Sequence, residues 1–79
     1  MPSNEDYQTS QMHCQIEKNF TYHKPNESQV ERMVDLRMQA KNTAHWIAAN
    51  CPPSRETSLA LTKLEEAVMH ANSAIVRNE

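Results

Sequence analysis

Two cations, Arg37 and Lys41, stand one helical turn apart inside the most regular apolar pattern of this 79-residue sequence. Val30, Met33, Arg37, Ala40, Ala44, Ile47 and Cys51 recur at alternating three- and four-residue steps, widened by Val34 and Ala48. On a helical wheel Arg37 therefore falls at the centre of the apolar face, with Lys41 on the same side. A charge in such a place is costly unless it is paired. Either both side chains snorkel, with packed stems and solvated heads, or they form a cationic pocket at an interface, suited to an anionic ligand. Phe20 and Tyr22 lie just upstream. They either plug a helical core or offer a ring on which a nucleobase stacks while a guanidinium clamps its phosphate.

A second set of polar groups lies further along. Arg55, Thr62 and Ser73 share one helical sector with Glu66, and Arg77 falls close to it. By itself this is a solvated face. Around a symmetry axis the same groups would converge on a second anion.

Other chemistries find little support. His13, Cys14 and His23 match no zinc spacing, and no CxxC pair occurs. Glu65 and Glu66 are adjacent, so on a helix they diverge by about 100° and do not act as a carboxylate pair. HExxH, Ser/His/Asp and Gly-rich motifs are missing, which argues against an enzyme.

The elements that must position these residues are helices. The chain contains no glycine, which removes most hairpin-rich and phosphate-loop designs. A short amphipathic helix is expected over roughly residues 4–18, with Tyr7, Met12, Cys14, Ile16 and Phe20 giving the segment little apolar content. Pro25 pushes His23 and Lys24 toward extended geometry and closes an aromatic link. Asn26 then reads as an N-cap, with Gln29 completing a capping box and Glu27 favouring the first turn.

That helix should run to about Asn50, where Cys51-Pro52-Pro53 stops it. Ser54 caps a third helix from about Arg55 to Arg77, with Leu61, Leu64, Val68, Ala71 and Ile75 on one face. So short a link forces the two long helices antiparallel. Residues 1–24 thus form a short helix and link, and 25–79 a helical hairpin, within one all-α domain.

Alanine-rich stripes bury little area, and Leu59, Met69, Val76 and Trp46 point elsewhere, so apolar groups occur on several sides of the hairpin. Copies of the same chain are the simplest cover for them. A core of this size supplies only about 3–5 kcal/mol without some further staple. Cys14 and Cys51 are read as free thiols in a cytosolic protein, because no signal peptide opens the chain. A net charge of −2 disfavours a DNA- or RNA-polymer binder, and no run is long and apolar enough for a membrane span.

The stretch Phe20-Thr21-Tyr22-His23-Lys24-Pro25, the following LRMQAK and above all PPSRETSLALTKLEEAVMHANSAIVRNE resemble phage anti-CBASS proteins of the cyclic-nucleotide sponge type. Their helical hairpin is shared with Thoeris anti-defence sponges. The resemblance covers residues 16–79. It implies a compact, non-catalytic homohexamer that needs no cofactor. Such a protein binds cyclic dinucleotides such as cGAMP, and cyclic trinucleotides, and withholds them from CBASS effectors in the host cytoplasm.

By the same resemblance Tyr22 stacks on a base, with Phe20 beside it, and Arg37 contacts phosphate, with Lys41 as its substitute. Arg55, Thr62 and Arg77 serve separate trinucleotide sites near threefold axes. His70 departs from the tryptophan of similar sequences, and the module that precedes the hairpin in Thoeris sponges is missing. Binding of their ADP-ribose-type signal does not follow from the resemblance. Two readings of other classes remain beside the sponge. One is a small helical enzyme resembling chorismate mutase. The other is an adaptor that binds a host protein through Trp46 and Met69.

Overall fold

The computed structural model describes residues 4–79, with side chains from Thr9 onward. The side chain of Tyr7 lies outside that range. Three helices follow one another: α1 (Asn4–Phe20), α2 (Glu27–Asn50) and α3 (Arg55–Asn78).

The start of α2 forms as its cap residues dictate. Asn26 sits in extended geometry and its Oδ1 accepts from the Gln29 amide at 2.8 Å, while the Asn26 amide donates to Gln29 Oε1 at 3.0 Å. Two otherwise orphaned donors are thereby satisfied reciprocally. At the other end the two prolines halt the ladder, and Ser54 Oγ accepts from the Thr57 amide at 3.2 Å to open α3. Thr57 Oγ1 donates back to the Pro52 carbonyl at 2.7 Å, which holds the link in one shape.

The two long helices run antiparallel. Gln29 Nε2, near the start of α2, donates to the Ile75 carbonyl near the end of α3 at 3.2 Å. One turn on, Arg32 grips both carboxylate oxygens of Glu79, with Nη1 at 2.7 Å from Oε2. Gln29 is the one buried residue among those described, at 7% exposure. Its amide thus serves both the cap and the helix pairing.

Between the helices pack Met33, Leu36, Ala40, Ala44 and Ile47 from α2 against Leu61, Leu64, Val68, Ala71 and Ile75 from α3, all of them half-buried. The α3 stripe is the expected one. On α2 Met33, Ala40, Ala44 and Ile47 take their expected places, but Arg37 is exposed at the flank of the stripe rather than centred in it. Leu36 takes the inward position instead. At 100° per residue, 36 and 37 compete for one turn of the interface, and the leucine packs an apolar side chain there without the cost of burying a charge. Val30 is likewise exposed.

Among the described residues no hydrophobic side chain is fully buried. The accessible surface is 6749 Å², whereas a compact monomer of this mass exposes about 4,900 Å². The radius of gyration, 17.8 Å, exceeds the roughly 12 Å of a compact chain of this length. The elongated shape, 58 × 33 × 16 Å, with α1 barely packed on the hairpin, accounts for that openness.

Helix α1 is tied to the hairpin by polar contacts at its last turn. Arg77 donates from Nη2 to the Asn19 carbonyl and from Nη1 to Asn19 Oδ1, both at 3.3 Å, and Lys18 Nζ donates to Asn78 Oδ1 at 3.2 Å. His23 Nε2 donates to the Lys18 carbonyl at 2.8 Å, and the Thr21 hydroxyl to the Glu17 carbonyl. Three of the carbonyls left open at a helix C-terminus are therefore filled by side chains, one of them a cation suited to the helix dipole. The link is an ordered side-chain cap. Phe20 and Tyr22 do not plug the hairpin core, for they are 86% and 84% exposed.

Candidate functional site

Along one side of the hairpin, α2 and α3 diverge into a groove of about 650 Å³. Its floor is apolar, built by Ala40, Ala44, Leu61, Leu64 and Val68, with Met69 at the edge. The small side chains of Ala40 and Ala44 create the concavity: larger residues there would fill it. Arg37 and Lys41 rise from α2 on one wall, and Glu65 and Asn72 from α3 on the other.

The cations of this groove have no partner in the chain, a property they share with Lys24 and Arg55 among the described residues. The described residues hold two ion pairs, Arg32 with Glu79 and Lys63 with Glu66, the latter at 3.3 Å. Arg37 and Lys41 take part in neither and make no hydrogen bond among the described residues. Asn72 Oδ1 is shielded from water without a hydrogen-bond donor, alone in this among the described side-chain oxygens and nitrogens. An unsatisfied buried acceptor costs about 1–3 kcal/mol. A cationic wall over an apolar floor can hold a ligand that combines flat apolar rings with negative charge.

Of the residues singled out in the sequence, Arg37 and Lys41 are brought together in this groove. Tyr22 and Phe20 are not. Arg37 stands ten residues into α2, about 15 Å along its axis from the link that carries Tyr22. A single chain therefore does not bring the aromatic ring and the cation to one pocket.

Arg55, Thr62 and Arg77 are likewise apart. Arg55 opens α3 and Arg77 lies near its end, about 33 Å away. Arg55 and Thr62 are exposed, while Arg77 is half-buried and engaged by Asn19. Within the chain Arg77 works as the tie between α3 and α1. Asn72 and Glu65 were not anticipated as groove residues, although the spacing 61, 65, 68, 72 follows the edge of the α3 stripe.

The match to the Acb2/Tad1 hairpin domain runs from residue 12 to residue 76, through the last turns of α1 and nearly all of the hairpin. The chain belongs to the Acb2/Tad1 hairpin family. This is the anti-CBASS family that residues 16–79 resemble. The family segment begins four residues earlier, inside α1, so part of that helix is a family feature as well as the hairpin. Arg77 lies one residue beyond it. No curated protein and no solved structure significantly matches the chain. No described helix is long and apolar enough to cross a membrane, and no described cluster of His, Cys, Asp and Glu suits a metal ion.

Proposed function

We propose that this protein is a stoichiometric sponge for cyclic oligonucleotide messengers, binding cyclic dinucleotides such as cGAMP and cyclic trinucleotides without cleaving them and so starving CBASS effectors in the host cytoplasm. The observation that carries the reading is the pair of unpartnered cations over an apolar groove in a member of the Acb2/Tad1 hairpin family. Sequestration needs affinity and copy number rather than turnover. Preformed pockets on helices serve it, because little ordering is left to oppose binding.

The dinucleotide is held between copies. Arg37 contacts phosphate with Lys41 beside it, and Tyr22, with Phe20, stacks on a base from a neighbouring copy. The separation of Tyr22 from Arg37 within one chain supports this arrangement, as does an accessible surface about 1,800 Å² above that of a compact monomer. A surplus of that size is what an extensive subunit interface removes. The assembly proposed is a closed homohexamer. Arg55 and Thr62 from several copies face a cyclic trinucleotide near a threefold axis, and Arg77 joins them only by releasing Asn19.

The test is mass spectrometry of the small molecules released on denaturing protein purified from cells that make cyclic dinucleotides. Intact cyclic dinucleotide is expected in near-stoichiometric amount. Linear products would point to hydrolysis, and an empty protein that also fails to bind added cGAMP would refute the sponge.

A further inference from the structure

We infer that Lys24 is a further ligand-binding residue: its ammonium holds the phosphate of the same nucleotide whose base stacks on Tyr22 of its own chain. The assignment rests on the sponge reading for its ligand and adds a cation carried beside the ring itself. Residues 21–26 connect α1 to α2 outside either helix. Along them exposure alternates: Tyr22 and Lys24 are exposed, whereas His23 and Pro25 are half-buried. This is the two-residue period of extended backbone, so Tyr22 and Lys24 leave the link on one face. Two extended residues set them about 7 Å apart.

The alternation has local causes. Pro25 disfavours helical geometry at Lys24 and holds that residue extended. His23 is drawn inward because its Nε2 donates to the Lys18 carbonyl at 2.8 Å, and just before it the Thr21 hydroxyl donates to the Glu17 carbonyl. At the far end the Asn26 amide and Oδ1 are both engaged by Gln29. A short link fixed at both ends and at its middle has few shapes left to it. The ring and the ammonium are therefore presented together before any ligand arrives.

Lys24 has no other occupation. Lys18 donates to Asn78 and Lys63 pairs with Glu66, but the Lys24 ammonium meets no partner among the described residues. Glu27, three residues on, lines with Glu31 a separate notch of about 320 Å³ that begins at Pro25, and neither Tyr22 nor Lys24 borders it. A nucleotide offers a flat base and, a few bonds away, an anionic phosphate. An aromatic face stacks on any base, and lysine binds phosphate as a point charge on a flexible four-carbon stem. Tyr22 and Lys24 thus read one nucleotide from within one chain. A cyclic dinucleotide carries two phosphates, so Lys24 takes one and leaves the other to Arg37 and Lys41.

The experiment is calorimetric titration of cGAMP into the full-length native protein and its Lys24→Ala, Lys24→Arg and Lys63→Ala variants, each at low and at moderate salt, with a thermal melt of each. Lys24→Ala should bind roughly tenfold more weakly than the native chain. Its affinity should also fall less steeply with added salt, because one charge contact is gone. Lys24→Arg keeps the cation and should recover most of the affinity. Lys63→Ala removes the same charge elsewhere and should bind as the native protein does. Since Lys24 is exposed and unpaired, the melting temperature of Lys24→Ala should not move.

An equal loss in Lys63→Ala would reduce the effect to net charge and overturn the assignment. So would a Lys24→Ala protein that melts early and is not rescued by arginine, since Lys24 would then serve the fold. Tight native binding that Lys24→Ala leaves unchanged would remove this contact and let the sponge stand. A native protein that binds no cGAMP would overturn the sponge, and the contact with it.

Discussion

The open end of the hairpin and the groove midway along it use the same residue types to opposite ends. At the open end the polar groups that tie the helices meet counterparts: Gln29 with Asn26 and Ile75, Arg32 with Glu79, Arg77 with Asn19. In the groove Arg37, Lys41 and Asn72 meet none. An arginine that is paired within its own chain secures the fold, whereas an arginine held unpaired beside an apolar floor is available to something outside it. Partnering, rather than residue type, separates the cations that secure the fold from those left open to a ligand.

The sharpest way to break this contrast is to truncate one arginine of each kind. Arg37→Ala should lower cGAMP affinity by roughly 10- to 150-fold, the loss of a charge-assisted contact, and leave the melting temperature unchanged. Arg32→Ala should leave affinity unchanged and lower the melting temperature slightly. Calorimetry and thermal denaturation of the two variants read both quantities. A reversal of the pattern would dissolve the distinction.

Gln29→Ala should be the most damaging single change to stability at the open end. It removes half of the capping box and a buried hydrogen bond to α3, together about 1–2 kcal/mol, which chemical denaturation measures. Asn72→Leu should act in the other direction. It removes an unsatisfied acceptor and adds apolar surface, so stability should hold or rise by about 1 kcal/mol. A marked fall in stability would mean that Asn72 finds a partner across an interface.

The smallest effect belongs to pH. Hydrogen bonds from Arg32, with its positive charge, hold the Glu79 carboxyl below the usual carboxylate range, and the same contact raises the Arg32 guanidinium. A carboxyl that titrates lower in the folded chain favours folding above its unfolded value. That contribution fades as the pH falls through the depressed one. Melting temperature should therefore decline slightly more steeply with acidification in the native protein than in Glu79→Gln.

Much of this architecture was legible from residue order. Helix ends followed from Asn26, Gln29, the Pro52-Pro53 pair and Ser54, because caps and breakers act locally. The α3 stripe followed from its spacing. On α2 the spacing places Met33, Ala40, Ala44 and Ile47 correctly and errs at Arg37, since a pattern containing both Leu36 and Arg37 cannot tell which faces α3 until α3 is in place.

The engagement of Arg77 with Asn19, and of Gln29 with Ile75, joins residues 58 and 46 apart in sequence. No local pattern encodes such contacts. Arg37 and Lys41 were recognisable as unusual, yet their lack of partners emerged only from the fold. Phe20 and Tyr22 were ambiguous for the same reason: exposure is a property of the packed molecule.

The most direct measurement of the shared pocket is calorimetric titration of cGAMP into protein co-expressed as equal amounts of Tyr22→Ala and Arg37→Ala chains. Each variant alone should bind weakly or not at all. Random assortment in a symmetric assembly restores an intact ring and an intact guanidinium at about one site in four, so the mixture should recover roughly a quarter of the native binding capacity at native affinity. A mixture as silent as its components, or variants that bind as tightly as the native chain, would contradict a pocket built by Tyr22 of one copy and Arg37 of another.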